Sequence, residues 1–249
     1  MTDDTLLLVD NSNTRTKFAF ARQGKLCGET LTLPTAQISP QAVQDLLAGH
    51  SYARAILCSV VPKAAEILLG CLGAEIHRIS AATCPTFLRH YPGQATLGAD
   101  RIANAAAAAA LYPLPCVAVD LGTACTFDVV VSTESGPGFL GGVIAPGLQS
   151  LAAAPTRTAQ LPATSTATLS TAAAIGRDTR SALRAGLSYG YAGMLTGILE
   201  GIAKELGATP HVVITGGDTE RWTPPPAFPY SIDKNLTFKG MLELDKIIR

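Results

Sequence analysis

Two short segments combine a carboxylate with small polar residues in a pattern that suits the binding of phosphate groups. In the first, Asp10 ends an apolar run and a polar turn follows at 11–15. In the second, Asp120 ends another apolar run and a turn follows at 121–125. Main-chain N–H groups and hydroxyls in such turns can hold phosphate oxygens, and an aspartate can hold the magnesium ion that bridges them. The two segments together indicate a site for a nucleotide triphosphate.

The two segments also resemble each other. Aligning Asp10 with Asp120 superimposes the residues that follow: Ser12 on Gly122, Asn13 on Thr123 and Thr16 on Thr126. Asp, Asn, Gly and Thr are ordinary turn residues, so two unrelated hairpins remain an alternative interpretation. Each aspartate closes an apolar strand and each turn is rich in small hydroxyl or amide groups, which favours a repeated structural unit.

A third turn, Thr215-Gly216-Gly217, lies at the end of another apolar run. The absence of side chains at Gly216 and Gly217 would let a purine ring approach the backbone. Lys17, just inside the strand after the first turn, could neutralise phosphate charge. Two phosphate hairpins followed by a late Gly-Gly turn are the layout of actin-like, ribonuclease H-like kinases. We therefore predict an α/β fold with two similar ribonuclease H-like halves, 1–112 and 113–249, and a nucleotide cleft between them.

Hydrophobic periodicity predicts the elements that position these turns. Strands are expected at 6–10, 16–21, 55–61, 117–120, 126–131 and 211–215. Helices are expected at 41–50, 62–72, 98–111, 181–206 and 237–247. Residues 155–175, rich in Ser, Thr and Ala and containing two prolines, are predicted to form a long loop.

The predicted helix 181–206 carries glycines at intervals of three or four residues: Gly186, Gly190, Gly193, Gly197 and Gly201. Each glycine in a helix interior costs on the order of 1 kcal/mol. A stripe of them is therefore expected where another backbone packs closely. The partner is a helix of the same chain or of a second subunit, and we favour a homodimer because closed dimers are the commonest soluble assembly.

Composition excludes several other classes of protein. Of the 249 residues, 47% are hydrophobic and 15% charged, and Lys plus Arg equals Asp plus Glu at 19 each. This balance gives no net field for nucleic acid or anionic lipid. No run is long and apolar enough to span a membrane, and the N-terminus does not resemble a signal peptide. The six cysteines contain no C-x-x-C pair, so buried thiols in the cytoplasm are favoured over disulfides or a metal cluster.

Several motifs, in order along nearly the whole chain, resemble those of type III pantothenate kinases. Asp10-x-x-Asn13-Thr14-x-x-Lys17 resembles the first phosphate motif of that family, and Asp120-x-Gly122-Thr123 resembles the second. The segment Leu97-Gly98-Ala99-Asp100-Arg101-Ile102-Ala103-Asn104 is similar to the family's G-x-D-R-x-x-N segment. Later matches are Gly141-Gly142-x-Ile144-x-Pro146-Gly147, Arg157-Thr158-Ala159-x-Leu161-Pro162, Ile175-Gly176-x-x-Thr179 and Tyr189-Gly190-Tyr191-Ala192-Gly193.

The resemblance implies ATP-dependent phosphorylation of pantothenate to 4′-phosphopantothenate, at the start of coenzyme A synthesis. Asp100 would be the general base that takes the proton from the pantothenate hydroxyl, which suits a reaction in which the protein mainly positions groups and stabilises charge. Arg101 would pair with the pantothenate carboxylate through its planar fork of donors. Other substrate contacts implied by the resemblance are Tyr91, Gly98, Ala99 and Thr179, the last reaching in from a partner subunit.

The resemblance also assigns the nucleotide and metal ligands. Asp10 would serve the magnesium–ATP end, and Asp120 would bind the potassium or ammonium ion that the family needs. Thr123 would touch the ATP phosphates. The remaining residues of the implied ATP site are Ser12, Asn13, Thr14, Lys17, Gly122, Gly216 and Gly217.

Two departures from the family pattern leave alternatives open. Ser12 stands where the family usually has glycine, and Cys125 where it usually has threonine. A serine at position 12 would either crowd a phosphate or add a hydroxyl donor. A non-catalytic accessory factor of the same superfamily is therefore the alternative function, although Asp100, Arg101 and Asp120 argue against it. A sugar or acyl kinase is a third possibility, but a neutral sugar would give Arg101 no carboxylate to pair with.

Overall fold

The computed structural model describes residues 5–73, 75–84, 86–159, 161–166 and 173–248, with side chains at 158, 159 and 248 left out of the description. The chain forms two compact units. Unit 1 contains the chain up to residue 112 together with Val130–Leu140 and Asn235–Arg249. Unit 2 contains Pro113–Val129 and Gly141–Lys234. The division predicted from the sequence shares the boundary at residue 112 and otherwise stays a prediction.

Unit 1 is built on a five-stranded sheet whose middle strand is β1. Its strands are β1 (Leu6–Asn11), β2 (Arg15–Arg22), β3 (Lys25–Pro34), β4 (Arg54–Ser59) and β5 (Glu75–Arg78), in the spatial order β3-β2-β1-β4-β5. Strands β1, β2 and β3 pair antiparallel, whereas β4 runs parallel to β1 and β5 parallel to β4. Every residue of β1 is buried, which explains its nearly continuous apolar sequence.

Helices complete the core of unit 1. They are α1 (Pro40–Leu47), α2 (Pro62–Cys71), α3 (Ala99–Leu111) and, from the end of the chain, α6 (Leu236–Ile248). One apolar cluster joins the sheet to α1 and α2 and includes Leu7, Phe18, Leu57 and Leu68. On α3, the side chains from Ile102 to Ala108 are all buried. The alanine-rich sequence of α3 therefore reflects close packing of its neighbours.

The second sheet has the same strand order as the first. Its strands are β6 (Cys116–Leu121), β7 (Ala124–Thr133), β8 (Gly136–Pro146), β9 (His211–Gly216) and β10 (Tyr230–Ile232), in the order β10-β9-β6-β7-β8. Strand β9 is parallel to β6, and β10 is parallel to β9. When β6 is matched with β1, each remaining strand falls on its counterpart in the first sheet. The predicted α/β fold with two similar halves is confirmed.

Two helices belong to unit 2: α4 (Leu148–Ala159) and α5 (Thr179–Leu206). Residues 155–159, predicted as the start of a long loop, are instead the last part of α4, so that part of the loop prediction is wrong. Pro155 lies inside α4, although a proline disfavours the interior of a helix. Residues 160 and 167–172 of the predicted loop lie outside the described residues. No helix in the described ranges has the length and hydropathy needed to cross a membrane.

Candidate active site

The hairpin between β1 and β2 places Asp10 in a buried position with two polar partners. Ser12 Oγ donates a hydrogen bond to Asp10 Oδ1 at 3.0 Å. Lys17 Nζ lies 3.7 Å from Asp10 Oδ2. Burial raises the pKa of Asp10 above its ordinary value, while Lys17 and Ser12 act in the opposite direction and the charge of Asp100 raises it further. The hydroxyl of Ser12, one of the departures from the family pattern, is therefore directed at Asp10.

The tip of this hairpin is open to solvent. Asn13 and Thr14 are exposed, and the backbone N–H of Ser12 donates to the carbonyl of Arg15 at 3.2 Å to close the turn. The side chain of Lys17 is 39% exposed, so its ammonium can reach a ligand without leaving Asp10. The hairpin thus presents backbone donors, small polar side chains and a cation together, as a phosphate site requires.

Helix α3 begins with the residues predicted to act on the substrate. Its first turn holds Asp100, whose Oδ1 accepts the backbone N–H of Arg101 at 2.8 Å. A Cβ at Gly98 would lie only 2.6 Å from that Oδ1 atom, so a glycine is needed there for the carboxylate to keep its position. Burial is the largest influence on Asp100 and raises its pKa, although the Arg101 amide and charge lower it.

The negative charges of Asp10 and Asp100 influence the same part of unit 1. The charge of Asp100 raises the pKa of Asp10. Cys58, which pairs with Asp10 across β1 and β4, feels both carboxylates. Burial and the two negative charges raise the pKa of the Cys58 thiol well above its ordinary value, so it stays neutral. The structure therefore brings together the predicted magnesium–ATP carboxylate and the predicted general base.

An aromatic side chain that the sequence analysis did not select connects Tyr91 with Arg101. Phe139, fully buried on strand β8, contacts the Tyr91 ring edge-on, with ring centroids 4.9 Å apart. The guanidinium carbon of Arg101 lies 5.8 Å from the centroid of the Phe139 ring, a distance typical of a cation–π contact. Phe139 follows Tyr91 by nearly fifty residues, and no local pattern links the two. The contact depends on the tertiary fold.

The position of α3 is fixed by α6 at two points. Thr237 Oγ1 donates to Asn104 Oδ1 at 2.8 Å, and Asn104 is buried. One turn further along α6, a Cβ at Gly240 would collide with the carbonyl of Ala103. The two helices therefore approach closely enough to require glycine at position 240. Asn104, quoted in the G-x-D-R-x-x-N segment, serves the packing of α3 in this structure.

In unit 2, the end of β6 and the end of β9 bring oxygen atoms together. Gly216 has a φ of +99°, a conformation that L side chains rarely adopt. A Cβ at this position would lie 2.5 Å from both Asp120 Oδ1 and the carbonyl oxygen of Leu121. The two oxygens thus converge on a small space above Gly216. Gly217, by contrast, has open space where its side chain would be.

The second hairpin is also closed by a backbone hydrogen bond, but across one residue fewer than the first. The backbone N–H of Gly122 donates to the carbonyl of Ala124 at 3.2 Å, and Thr123 is exposed at the tip. Gly147 lies so close to the carbonyls of Gly122 and Thr123 that a Cβ would collide with both. Cys125, the other departure from the family pattern, is buried with its Sγ 3.4 Å from the Tyr191 hydroxyl on α5. The Cys125 thiol therefore lies within hydrogen-bonding distance of a side chain of α5.

Thr179 is the first residue of α5 and is exposed. Asp178 caps the helix: its side chain accepts the N–H of Ser181 at 2.9 Å, and Ser181 Oγ in turn accepts the Asp178 N–H at 3.1 Å. Thr179 lines a largely apolar groove of about 730 Å³ between α4 and α5, together with Leu151, Pro155, Leu183, Leu187 and Met194. Of the residues predicted to contact the substrate, Tyr91, Gly98, Ala99, Asp100 and Arg101 belong to unit 1, whereas Thr179 belongs to unit 2.

Comparison with known proteins decides the family. Residues 6–201 match the family model described as type III pantothenate kinase. The type III pantothenate kinase of Akkermansia muciniphila is 44% identical over 217 residues, which cover 86% of this chain and 87% of the relative. The chain belongs to the type III pantothenate kinase family. The enzyme of that name from Methylacidiphilum infernorum is 35% identical over 98% of this chain and 89% of its own length.

Solved structures show that other proteins share the fold of this family member. The ethanolamine utilization protein EutJ from Carboxydothermus hydrogenoformans is similar with a TM-score of 0.54, covering 100% of this chain and 90% of its own, at 15% identity. A glucokinase from an Antarctic psychrotroph has a TM-score of 0.52 at 13% identity, covering 96% and 98% of the two chains. At such identity the likeness shows the fold alone. The family resemblance read from the motifs is confirmed.

Proposed function

We propose that this protein phosphorylates pantothenate with ATP to give 4′-phosphopantothenate, the first step of coenzyme A synthesis. The observation that carries the proposal is the first turn of α3. There, Asp100 and Arg101 lie in the segment shared with the family, and Asp100 acts electrostatically on the buried Asp10. A base, a cation for the substrate and a carboxylate for the nucleotide end are thus present in one unit.

The chemistry assigned to α3 is a single phosphoryl transfer. Asp100 accepts the proton of the pantothenate primary hydroxyl as its oxygen attacks the γ-phosphorus, and the bond from that phosphorus to ADP breaks. Arg101 pairs with the pantothenate carboxylate, and its contact with Phe139 restricts the guanidinium. Tyr91, Gly98 and Ala99 line the same end of the substrate. Because Asp100 must be ionised, activity is lost as the pH falls through its raised pKa.

The hairpins are assigned to the nucleotide. Backbone and side-chain donors of the first hairpin and the ammonium of Lys17 hold phosphate oxygens, and Gly122 and Thr123 of the second do the same. Gly217, which has open space where a side chain would be, leaves room for the purine, and Gly216 precedes it in the same turn. The complete set for ATP is Asp10, Ser12, Asn13, Thr14, Lys17, Gly122, Thr123, Gly216 and Gly217.

Two metal ions belong to the proposal. In the described part of the chain no three His, Cys, Asp or Glu side chains are grouped to hold a metal ion, so magnesium would share its ligands between Asp10 and the ATP phosphates. A bound magnesium ion neutralises charge on the phosphates. For potassium or ammonium, the oxygens of Asp120 and Leu121 that converge above Gly216 are a suitable set. A larger side chain at position 216 would fill that space.

We further propose that the enzyme is a cytoplasmic homodimer. The six cysteines are free thiols, which fits a reducing compartment. The five glycines of the α5 stripe are exposed, and within the described residues a Cβ at each would meet no atom within 4 Å. Their helix-propensity cost is therefore not offset inside this chain, and close packing of a second copy would offset it. Thr179, at the start of α5, would then reach the substrate of the partner subunit.

The test is formation of phosphopantothenate from ATP and pantothenate with magnesium, with and without potassium, for the wild type and Asp100→Asn. We expect potassium-dependent turnover that falls by at least about 100-fold in the variant, the scale of a general base. Turnover of a neutral sugar alone would identify a sugar kinase instead. A chain that neither binds nor phosphorylates pantothenate would leave the accessory-factor function as the better assignment.

A further inference from the structure

A row of buried polar side chains crosses the first sheet directly beneath the first phosphate hairpin. Its members are Asn11 at the end of β1, Thr16 on β2, Ser59 at the end of β4 and Thr35 just after β3. Their exposed fractions are 1%, 0%, 8% and 8%, respectively. Four buried polar side chains at one level of a sheet cost desolvation unless each is hydrogen-bonded. In this structure each of the four side chains is hydrogen-bonded.

The bonds form one continuous chain. Ser59 Oγ donates to Asn11 Oδ1 at 2.6 Å, and Asn11 Nδ2 donates to Thr16 Oγ1 at 2.7 Å. Thr16 Oγ1 and Thr35 Oγ1 lie 3.0 Å apart. Thr35 Oγ1 then donates to the backbone carbonyl of Ser12 at 2.6 Å. At the other end, the backbone N–H of Val61 donates to Ser59 Oγ at 3.2 Å.

The direction of every bond follows from the Ser12 carbonyl, which can only accept. Thr35 must donate its single hydroxyl proton to that carbonyl, so its oxygen accepts the hydrogen bond from Thr16. Because Thr16 donates its own hydroxyl proton to Thr35, its oxygen accepts a hydrogen bond from the Asn11 amide nitrogen. Asn11 Oδ1 is then left to accept from Ser59. Ser59 Oγ also lies 3.4 Å from the Val61 carbonyl, but its 2.6 Å bond to Asn11 Oδ1 is the shorter of the two. Bonds aligned in this manner polarise one another and strengthen the last of them.

Thr35 therefore controls the orientation of the hairpin backbone. Besides the side-chain bond to the Ser12 carbonyl, its backbone N–H donates to the Thr14 carbonyl at 3.0 Å. In a trans peptide the carbonyl and the following N–H point in opposite directions. With the carbonyls of Ser12 and Thr14 turned towards Thr35, the N–H groups of Asn13 and Arg15 are turned away from it.

We infer that Thr35, supported by Thr16, Asn11 and Ser59, is a positioning residue that aims the backbone N–H of Asn13 at the phosphates of ATP. The inference rests on the proposed function only in taking the first hairpin as a phosphate site. Thr35 itself is buried behind the hairpin, and it acts through Ser12 and Asn13. It lies outside every motif that the sequence analysis selected.

The decisive variant is Thr35→Val, which keeps the shape of the side chain and the backbone bond but removes the hydroxyl. It leaves the Ser12 carbonyl without a donor and the Thr16 hydroxyl without an acceptor. We expect the dissociation constant for magnesium–ATP, measured by calorimetry without pantothenate, to rise about tenfold or more. The KM for pantothenate should stay within about twofold, and Thr35→Ser should restore most of the affinity for ATP.

Thr5→Val is the matched control. Thr5 is also buried, at 2% exposure, and its Oγ1 accepts from Arg22 Nε at 2.8 Å, but it precedes β1 at the end remote from the hairpin. We expect it to lower the melting temperature about as much as Thr35→Val while leaving the affinity for ATP unchanged. Equal weakening of ATP binding by both variants would show that Thr35 contributes only to the stability of the fold, and would overturn the inference.

The remaining outcomes are also decisive. If Thr35→Val does not fold, Ser59→Ala breaks the same chain at its other end and should weaken ATP binding in the same direction; unchanged affinity would overturn the inference. A wild-type chain that binds ATP but does not phosphorylate pantothenate would end the proposed function, while the ATP affinities would still decide the role of Thr35. A wild-type chain that does not bind ATP would overturn the inference itself.

Discussion

Asp10 and Asp100 carry their charges in a part of unit 1 where burial opposes ionisation. For each of them burial is the largest influence and raises the pKa above the ordinary value of 3.8. Lys17 lowers the pKa of Asp10 and Arg101 lowers the pKa of Asp100, but the net shift of each pKa is upward. In the absence of ligand, each ionised carboxylate therefore costs stability, as is common for residues selected for chemistry. Bound magnesium and ATP would return some of that stability.

This residue-scale argument predicts that Asp100→Asn stabilises the ligand-free protein at neutral pH. The folded state of the wild type binds the Asp100 proton more tightly than the unfolded state, so stability falls as the pH rises from 3.8 through the raised pKa. The amide cannot ionise and avoids that loss, and its Oδ1 can still accept the Arg101 N–H. Thermal melting at pH 4 and pH 7 should show a higher melting temperature for the variant at pH 7 and a much smaller difference at pH 4. A lower melting temperature at pH 7 would contradict it.

The most informative residue-level differences from the sequence analysis are contacts between distant parts of the chain. Motif resemblance was sufficient to select Asp10, Asp100 and Arg101, because each lies in a short motif whose residues are close together in the sequence. Phe139 and Thr35 were not selected, because a phenylalanine and a threonine in strand-rich sequence have many ordinary roles. Their positions beside Arg101 and Ser12 depend on the tertiary fold. Ser12 itself was ambiguous from sequence, and the structure directs its hydroxyl at Asp10.

At the scale of elements, the sequence predicted the buried strands and the long helices well. Strands β1 and β6 are almost wholly buried and read as continuous apolar runs. Strand β3 has no fully buried residue, and β8 contains four glycines and five exposed positions, so neither has the apolar pattern of a strand. Helix α4 was missed because Pro155 and neighbouring threonines resemble a loop, and tertiary packing outweighed those local preferences.

The crossing of α3 and α6 gives the element-scale prediction. Gly240→Ala would force a Cβ into the Ala103 carbonyl, and two backbones cannot relax as a flexible side chain can. We expect a loss of about 1–3 kcal/mol in the free energy of unfolding. A fall in kcat/KM for pantothenate should accompany it, because α3 carries Asp100 and Arg101 at its start. Chemical denaturation and steady-state kinetics measure the two effects.

Gly70→Ala is the control for this substitution. Gly70 lies in α2, where an added Cβ would meet nothing within 4 Å. Replacing it should leave the kinetics unchanged and raise the free energy of unfolding by up to about 1 kcal/mol, the difference in helix propensity. If Gly240→Ala behaves like Gly70→Ala, the close approach of α3 and α6 is not important for stability.

At the scale of the whole molecule, the exposed glycine stripe of α5 argues for assembly. Gly193→Leu would add bulk where a second backbone is proposed to lie, but it meets no atom of the described chain within 4 Å at the Cβ. We expect the wild type to sediment as a dimer and Gly193→Leu to weaken the dimer by about 100-fold or more, with the monomer still folded.

Arg184→Leu is the matched control for the dimer. Arg184 is exposed on the same helix nine residues before Gly193, which places it on the face opposite the stripe. It should sediment like the wild type. A wild-type chain that is monomeric at all concentrations, or a Gly193→Leu variant that remains dimeric, would remove α5 from the interface.

The return of α6 to unit 1 affects the order in which the chain can fold during synthesis. The ribosome delivers α3 before any residue of unit 2 and α6 after all of them, because 113–234 lie between. At the usual rate of translation those residues take on the order of 10 s to make. During that interval the side of α3 around Ala103 has no helix to cover it, and the proposed general base, Asp100, lies on a helix that α6 does not yet hold in place. Unit 1 begins first but is completed last, so the nascent chain should interact with chaperones mainly through α3.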